Sequence, residues 1–274
     1  MILPCRSNSI SNLKGKIQGK IVKCLPEKLS FVLKKYHYVR ELRNFWERDC
    51  EIVRLLVAQG EWVIDVGANV GWYTKILSEL VGQDGVVFSI EPITPTFRLL
   101  SYCIAQLGLR NVQVLNYAIS DQESEVSMEI PHYASGGDNF YQARIVKQAP
   151  WDASLKKYLV RSRTLDSVFL QLPKKIAFIK CDVEGHELYV FKGARQLISR
   201  SRPALLIEIS RDPDDPRSES HLLFSYLQEN GYVPYWFDGK KLKRRAVGEA
   251  SVNYFFLQMC HVEHLKEKGV RAVD

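Results

Sequence analysis

Apolar residues along this chain fall into short unbroken runs. Between the runs they recur every three or four positions. Trp62, Val63, Ile64 and Val66 make the first run and residues 85–90 the second, and both predict buried strands. Residues 73–80 between them read as a helix. Pro95 opens a further helix with Phe97, Leu100, Ile104 and Leu107 on one face, and Gly108 ends it. Residues 112–117 alternate as a third strand. The order β-α-β-α-β predicts a parallel sheet with right-handed crossovers.

Residues 125–130 and 158–163 read as two more strands. The polar segment 132–151 between them contains Gly136-Gly137-Asp138-Asn139. A connection this long is either a lid or substrate-facing loop, or a plain surface insertion. Thr164 is placed to cap a short helix. Residues 176–181 then form a fourth core strand, 188–198 a helix and 203–209 a fifth strand. A helix carrying Leu222, Leu223, Tyr226 and Leu227 precedes a closing pair of strands at 232–237 and 254–259, joined by a basic, hairpin-like connection at 239–245. Upstream, Pro26 opens a helix through 29–36, and a second helix at 46–58 ends at Gly60. Residues 1–24 have weak periodicity and are expected to be partly disordered.

The first strand runs into Asp65-Val66-Gly67-Ala68-Asn69-Val70-Gly71 and then directly into a helix. Such a junction brings backbone close to a nucleotide and aims free N–H groups at it. An acid at the strand end would repel a pyrophosphate and attract an ammonium or sulfonium, so the loop suits a cationic, adenosine-bearing cofactor. Glu91-Pro92 closes the second strand about twenty residues later, where a carboxylate can accept from both ribose hydroxyls. An ordinary α/β loop with two incidental acids is the competing account. The spacing of Glu91 favours the nucleotide site.

In an open α/β sheet, ligands bind beyond the carboxyl ends of the strands. Asp65, Glu91, Asp182, Glu184 and Glu208 all fall there. The fourth strand end is densest, with Lys180, Asp182, Glu184, His186 and Glu187 within eight residues. Three readings stand side by side: a general base for an acceptor hydroxyl, oxygen ligands for a divalent cation, and a solvated, acid-rich helix start. The last accounts for Glu187 better than for Asp182, which ends a buried run. Histidine titrates near neutrality, which suits His186 to be a base.

The 274 residues are 46% hydrophobic, enough for a packed core, and no apolar run reaches the eighteen or so residues of a bilayer span. Residues 1–10 lack the apolar core of a secretory leader, so a cytoplasmic location is expected. Six cysteines without a Cys-x-x-Cys pair or a histidine cluster support neither zinc nor a disulfide framework. The net charge of +7 lies entirely in residues 1–50, which hold eleven Lys/Arg and four Asp/Glu. This divides the chain into a basic N-terminal extension (1–45) and a main domain (46–274). The extension is either a solvated helical lead-in or a surface for an anionic partner such as a membrane.

The chain resembles the FkbM-type family of S-adenosylmethionine-dependent methyltransferases over about residues 46–260. The matching motifs are Asp65-Val-Gly-Ala-Asn-Val-Gly-Trp-Tyr-Thr74, Glu91-Pro92 with Phe97 and Leu99-Leu100, Thr164-Leu165-Asp166, Ile179-Lys-Cys-Asp-Val-Glu-Gly-His-Glu187, Lys192-Gly193-Ala194 and the strand from Pro203 to Glu208. The resemblance implies a Rossmann-like class I α/β fold. Its sheet would be seven-stranded and mostly parallel, with a C-terminal antiparallel hairpin and helices on both faces. It implies S-adenosyl-L-methionine as cofactor, held by Asp65, Gly67, Asn69, Gly71 and Glu91, with Asn116, Ala118 and Asp121 near the adenine. It also implies O-methylation of a hydroxyl on a sugar, glycolipid or secondary metabolite. From the strand-end cluster, Asp182, Glu184, His186 and Lys180 are the candidate catalytic residues, and no residue is assigned to a metal.

Three positions depart from the family pattern: Cys103 replaces an Asn, Gly136-Gly137-Asp138-Asn139 replaces a Gly-Ser run, and Cys181 replaces a branched apolar residue. A small-molecule or glycan acceptor is expected, with peripheral contact to an anionic membrane as a further partner and no nucleic acid. Two other readings remain: a nucleic-acid methyltransferase using the basic lead-in, and a catalytically silent scaffold.

Overall fold

A computed structural model describes residues 27–131, 139, 143–145 and 155–273. Helix α1 (Glu27–Arg43) is followed by α2 (Cys50–Leu56), β1 (Trp62–Val66), α3 (Trp72–Val81), β2 (Val86–Ile90), α4 (Thr94–Leu107) and β3 (Val112–Leu115). Short β4 (Ala118–Ile119), β5 (Ser124–Ile130), β6 (Arg144–Ile145) and β7 (Lys156–Arg163) come next. They lead to α5 (Leu165–Phe169), β8 (Ile176–Cys181), α6 (Glu187–Lys192), α7 (Arg195–Ser201) and β9 (Ala204–Glu208). Helix α8 (Glu219–Glu229), β10 (Val233–Phe237), β11 (Leu242–Arg244), β12 (Asn253–Leu257), α9 (Met259–Glu267) and β13 (Ala272–Val273) complete the chain.

The main sheet has the order β13-β11-β10-β12-β9-β8-β1-β2-β3. Strands β3, β2, β1, β8 and β9 are parallel, and β12 and β10 pair antiparallel beyond them. Seven of the nine expected strands therefore lie in one sheet, with the expected C-terminal hairpin, and those at 125–130 and 158–163 belong to a second sheet. Strand growth reverses between β1 and β8, which puts the crevice for a ligand at their carboxyl ends. Alternation along the strands fills both faces. Ile64, Val66, Ile179 and Ile207 pack toward α6, α7 and α8, whereas Val63, Phe178, Leu206 and Phe255 pack toward α2, α3 and α9.

Several expectations are corrected. The 239–245 connection contains β11, which pairs with β10 and β13 and extends the sheet to nine strands. Leu242 is its one fully buried residue, too short a signal to read as a strand. The 112–117 strand is cut after Leu115. There the Asn116 amide donates to the Glu91 carbonyl (2.8 Å) and the Pro92 carbonyl (3.0 Å), and the chain leaves for a second sheet of order β4-β7-β5-β6. The 188–198 helix is two helices, because Gly193 abuts the Ser120 carbonyl, where an added Cβ would lie 2.1 Å from the oxygen.

Helix α2 is shorter than 46–58. Helix α1 runs past residue 36 to Arg43 because Tyr38 and Leu42 bury against Val70, Leu99 and Cys103. The reading of 1–24 and most of the 132–151 segment lie outside the described residues. Cys50, Cys103 and Cys181 are buried free thiols.

Asp166 of the Thr-Leu-Asp motif caps α7 from a distance. Its two carboxylate oxygens accept from the N–H groups of Gln196 (3.0 Å) and Leu197 (2.8 Å). Asp166→Ala leaves both donors unpaired. It is expected to lower the unfolding free energy by about 1–2 kcal/mol, read as a lower urea midpoint. An unchanged midpoint would remove this structural account of the motif.

Candidate active site

A cleft opens at the carboxyl ends of β1, β2 and β8 and is walled on its far side by the second sheet. Gly67 brings the loop after β1 hard against β8: an added Cβ would sit 1.8 Å from the Asp182 carbonyl oxygen, and its φ is +79°. The Gly67 and Ala68 N–H groups both donate to the Ile90 carbonyl, at 3.0 and 2.9 Å. Asn69 adopts a left-handed backbone (φ 50°), and its N–H donates to Glu91 Oε2 at 3.1 Å. Glu91 Oε1 accepts from the Ile93 N–H at 2.8 Å. The carboxylate is thus clamped at the cleft wall, and each oxygen keeps a lone pair. Burial pushes its pKa up to about 8. The two N–H bonds oppose that rise, and Asp65 and Asp182 add to it.

Not every expected residue reaches the cleft. Asp65 is buried beneath it and accepts from Thr74 Oγ1 at 2.6 Å, with Thr74 in turn 2.8 Å from Ser89 Oγ. Burial raises the Asp65 pKa to about 6, against the pull of Thr74 and Lys180. Gly71, at φ 104°, starts α3 with its α-carbon close to Leu100. Asn116 faces the backbone of residues 91–92. Asp121 stands behind Ser120, accepting from Ser120 Oγ at 3.1 Å. Ser120 Oγ is also 2.9 Å from His186 Nε2, so a proton on Nε2 lets the order run His186 to Ser120 to Asp121. His186 is buried, stacks on Tyr189 (4.7 Å between centroids) and lines the cleft.

Gly67, Asn69, Glu91, Ala118, Asp182, Glu184 and His186 all line the cleft. Ile93, Met128 and Ile145, which motif reading did not single out, join Pro92 and Tyr117 as an apolar wall. The alternation of residues 125–130 was its visible signal. Glu187 turns inward to accept from the Val183 and Gly185 N–H groups (3.3 and 3.0 Å), which shapes the turn, and burial lifts its pKa to about 6. Glu184 has a left-handed backbone (φ 55°), and burial followed by Asp182, Glu208 and Glu187 pushes its pKa to about 8. Lys180 lies outside the cleft, 5.2 Å from the Tyr73 ring centroid on the α3 side of the sheet. Among the described residues no three His, Cys, Asp or Glu side chains are grouped to hold a metal ion.

Residues 65–234, more than half the chain, match the model of the methyltransferase FkbM domain. The chain belongs to the FkbM methyltransferase family. It is similar to the hexuronic acid methyltransferase AglP of Haloferax volcanii, 29% identical over 191 residues that span 68% of this chain and 70% of that protein. A shorter stretch of 66 residues is 35% identical to the protein-L-isoaspartate O-methyltransferase of Methanosarcina mazei, covering 24% of this chain and 26% of that one. The crystal structure of methyltransferase FkbM from Methylobacillus flagellatus superimposes with a TM-score of 0.49 at 16% identity, over 90% of this chain and 60% of that chain. The matched residues 65–234 include Gly67, Glu91 and Asp182, which line the cleft.

The raised carboxyl groups set a pH dependence. Glu91, Glu184 and Glu208, each lifted from 4.5 to about 8 mainly by burial, are protonated in both folded and unfolded states at acid pH and cost nothing there. As pH rises past 4.5 the unfolded chain ionises first, so stability falls until the folded groups ionise near 8. The ligand-free protein is expected to lose several degrees of thermal midpoint between about pH 6 and about pH 8.5, and Glu91→Gln should flatten part of that slope. Calorimetric scans across this range check it, and a midpoint that rises with pH would contradict it.

Proposed function

We propose that this chain is an S-adenosylmethionine-dependent O-methyltransferase whose acceptor is a hydroxyl of a sugar, in a glycan or lipid-linked saccharide. The observation that carries the reading is the clamped Glu91 facing a cleft whose floor is made by Gly67, where only a missing Cβ allows the close approach. The residues fit the cofactor. Glu91 offers two fixed acceptors for ribose hydroxyls, the wall of Ile93, Ala118 and Met128 suits a planar apolar base, and the acids of the strand ends suit a cationic methionine moiety. When bound, that cofactor would supply a methyl group on an electron-poor sulfur.

The protein's own part is positioning. Asp65 acts through Thr74 to fix the first turn of α3, Gly71 admits that turn, and Asn116 ties down the Glu91-Pro92 backbone. Asp121, through Ser120, orients His186. Asp182 and Glu184 stand at the reacting end, where an acceptor hydroxyl needs an aligned lone pair and a group to take its proton. The name of the Haloferax relative, a hexuronic acid methyltransferase, supports a sugar acceptor.

Isothermal titration with S-adenosylmethionine and S-adenosylhomocysteine tests the reading. Micromolar binding is expected, and Glu91→Gln should weaken it about tenfold to a hundredfold, the worth of one or two lost hydrogen bonds. A folded protein that binds neither compound would sink the proposal.

The basic extension is read as a peripheral contact for an anionic membrane surface, supported by Val32, Leu33 and Tyr36 exposed on α1. Co-sedimentation with vesicles should require anionic lipid and fall with salt. Equal binding to neutral vesicles, or none, removes this part.

A further inference from the structure

The turn after β8 places two left-handed residues in succession, Glu184 at φ 55° and Gly185 at φ 94°, and His186 follows them. Its imidazole reaches the segment after β4, where Nε2 lies 2.9 Å from Ser120 Oγ. Ser120 is itself fixed. Its N–H donates to the Arg163 carbonyl at 2.9 Å, its carbonyl lies against Gly193, and its hydroxyl donates to Asp121 Oδ1 at 3.1 Å. A second support is Tyr189, three residues on in α6. Its ring stacks on the imidazole, with centroids 4.7 Å apart and planes 23° from parallel. Its phenol donates at 2.9 Å to Oε1 of Glu219, in the first turn of α8. Segments from β4, α6 and α8 thus act together on one buried imidazole at the cleft wall.

Because Ser120 donates to Asp121, its oxygen accepts from Nε2, which fixes the Nε2 proton and puts the lone pair of the neutral ring on Nδ1. A neutral imidazole of fixed tautomer is a proton acceptor suited to neutral pH. The charge it would gain is met by both supports. Asp121 stands behind Ser120, and the π face of Tyr189 attracts a cation, the more so because its phenol donates to Glu219. Asp182 and Glu184 line the same cleft, while Lys192, 5.7 Å from the Tyr189 centroid, opposes the charge. The neighbouring acids are less suited to the task. Glu187 is committed to the Val183 and Gly185 N–H groups. Glu184 holds its proton at neutral pH, since burial and then Asp182, Glu208 and Glu187 push its pKa to about 8.

We propose that His186 takes the proton of the acceptor hydroxyl, and that Tyr189, anchored by Glu219, is the positioning residue that sets the imidazole plane and stabilises the imidazolium. This rests on the methyltransferase reading above and assigns the proton acceptor within it. As the oxygen–methyl bond forms and the sulfur–methyl bond breaks, leaving a neutral thioether, the hydroxyl proton passes to Nδ1, and the Nε2 proton stays in its bond to Ser120.

Long-range proton–nitrogen correlation spectra of the full chain, assigned with His186→Gln, read the tautomer and pKa of the ring without an acceptor. Neutral His186 should carry its proton on Nε2. Tyr189→Leu should lower the His186 pKa by about 0.4–0.7 units, the worth of a lost cation–π contact, whereas Tyr189→Phe keeps the stack and should stay within about 0.2 units of wild type. Diethylpyrocarbonate, a small electrophile, reads the lone pair: mass spectrometry should find His186 acylated in the wild type. A proton on Nδ1, an unmodified His186, or a pKa in Tyr189→Leu at or above the wild-type value overturns the proposal. If Tyr189→Leu does not fold, Ser120→Ala decides: it should lower the pKa and mix the tautomers, and no change in either overturns the proposal. Spectra that fail while S-adenosylhomocysteine still binds overturn this assignment alone. A silent cofactor titration overturns the methyltransferase reading, and this assignment with it.

Discussion

The contact between Gly67 and the Asp182 carbonyl is the constraint on which the site depends. It locks the loop after β1 to the loop after β8 with no side chain between them. The Asp182 N–H completes the lock by donating to the Val66 carbonyl at 3.0 Å. Without this approach the two strand ends would splay, Asn69 could not present its N–H to Glu91, and the cleft would lose its floor. A single hydrogen in place of a methyl group therefore governs the relative position of Glu91, Asp182 and His186. Any larger residue at 67 also meets the penalty of its left-handed backbone.

Around that lock the fold gathers acids where water is scarce. Burial raises the pKa of Asp65, Glu91, Glu184 and Glu208, so the charged form of each is disfavoured at the strand ends. Lys180 answers part of this from below, and backbone N–H groups answer part at Glu91 and Glu187. Such groups are poised to gain from a positively charged ligand, which is the physical sense in which this edge of the sheet is a site rather than a surface.

Local signals made much of this legible. The apolar runs at 62–66, 85–90 and 176–181 announced the central strands, and Asp65 to Gly71 with Glu91 announced the cleft. What escaped depends on contacts between distant segments. The break at Gly193 exists because Ser120 lies against it, and residues 188–198 alone read as one helix. The turn at Asn116 comes from its hold on residues 91 and 92, which cut a strand whose alternation had already weakened there. Asp166 looked like a motif residue, and it proves to be a cap for a helix thirty residues away. The grouping of Glu47, Asp49 and Asn253 spans some two hundred positions and has no period to read.

Asp182 belongs to both halves of the site. Its carbonyl meets Gly67 on the cleft side, its N–H holds the Val66 carbonyl at 3.0 Å, and with Glu184 it lines the cleft. A ligand that shifts the loop at Gly67 therefore also shifts the loop after β8 that carries Asp182 and Glu184, and a ligand held by those acids pulls on the backbone that shapes the cleft. Packed strand ends do not deform smoothly. Occupancy on one side thus biases geometry on the other through one residue, and binding in the two halves is expected to be coupled in both directions.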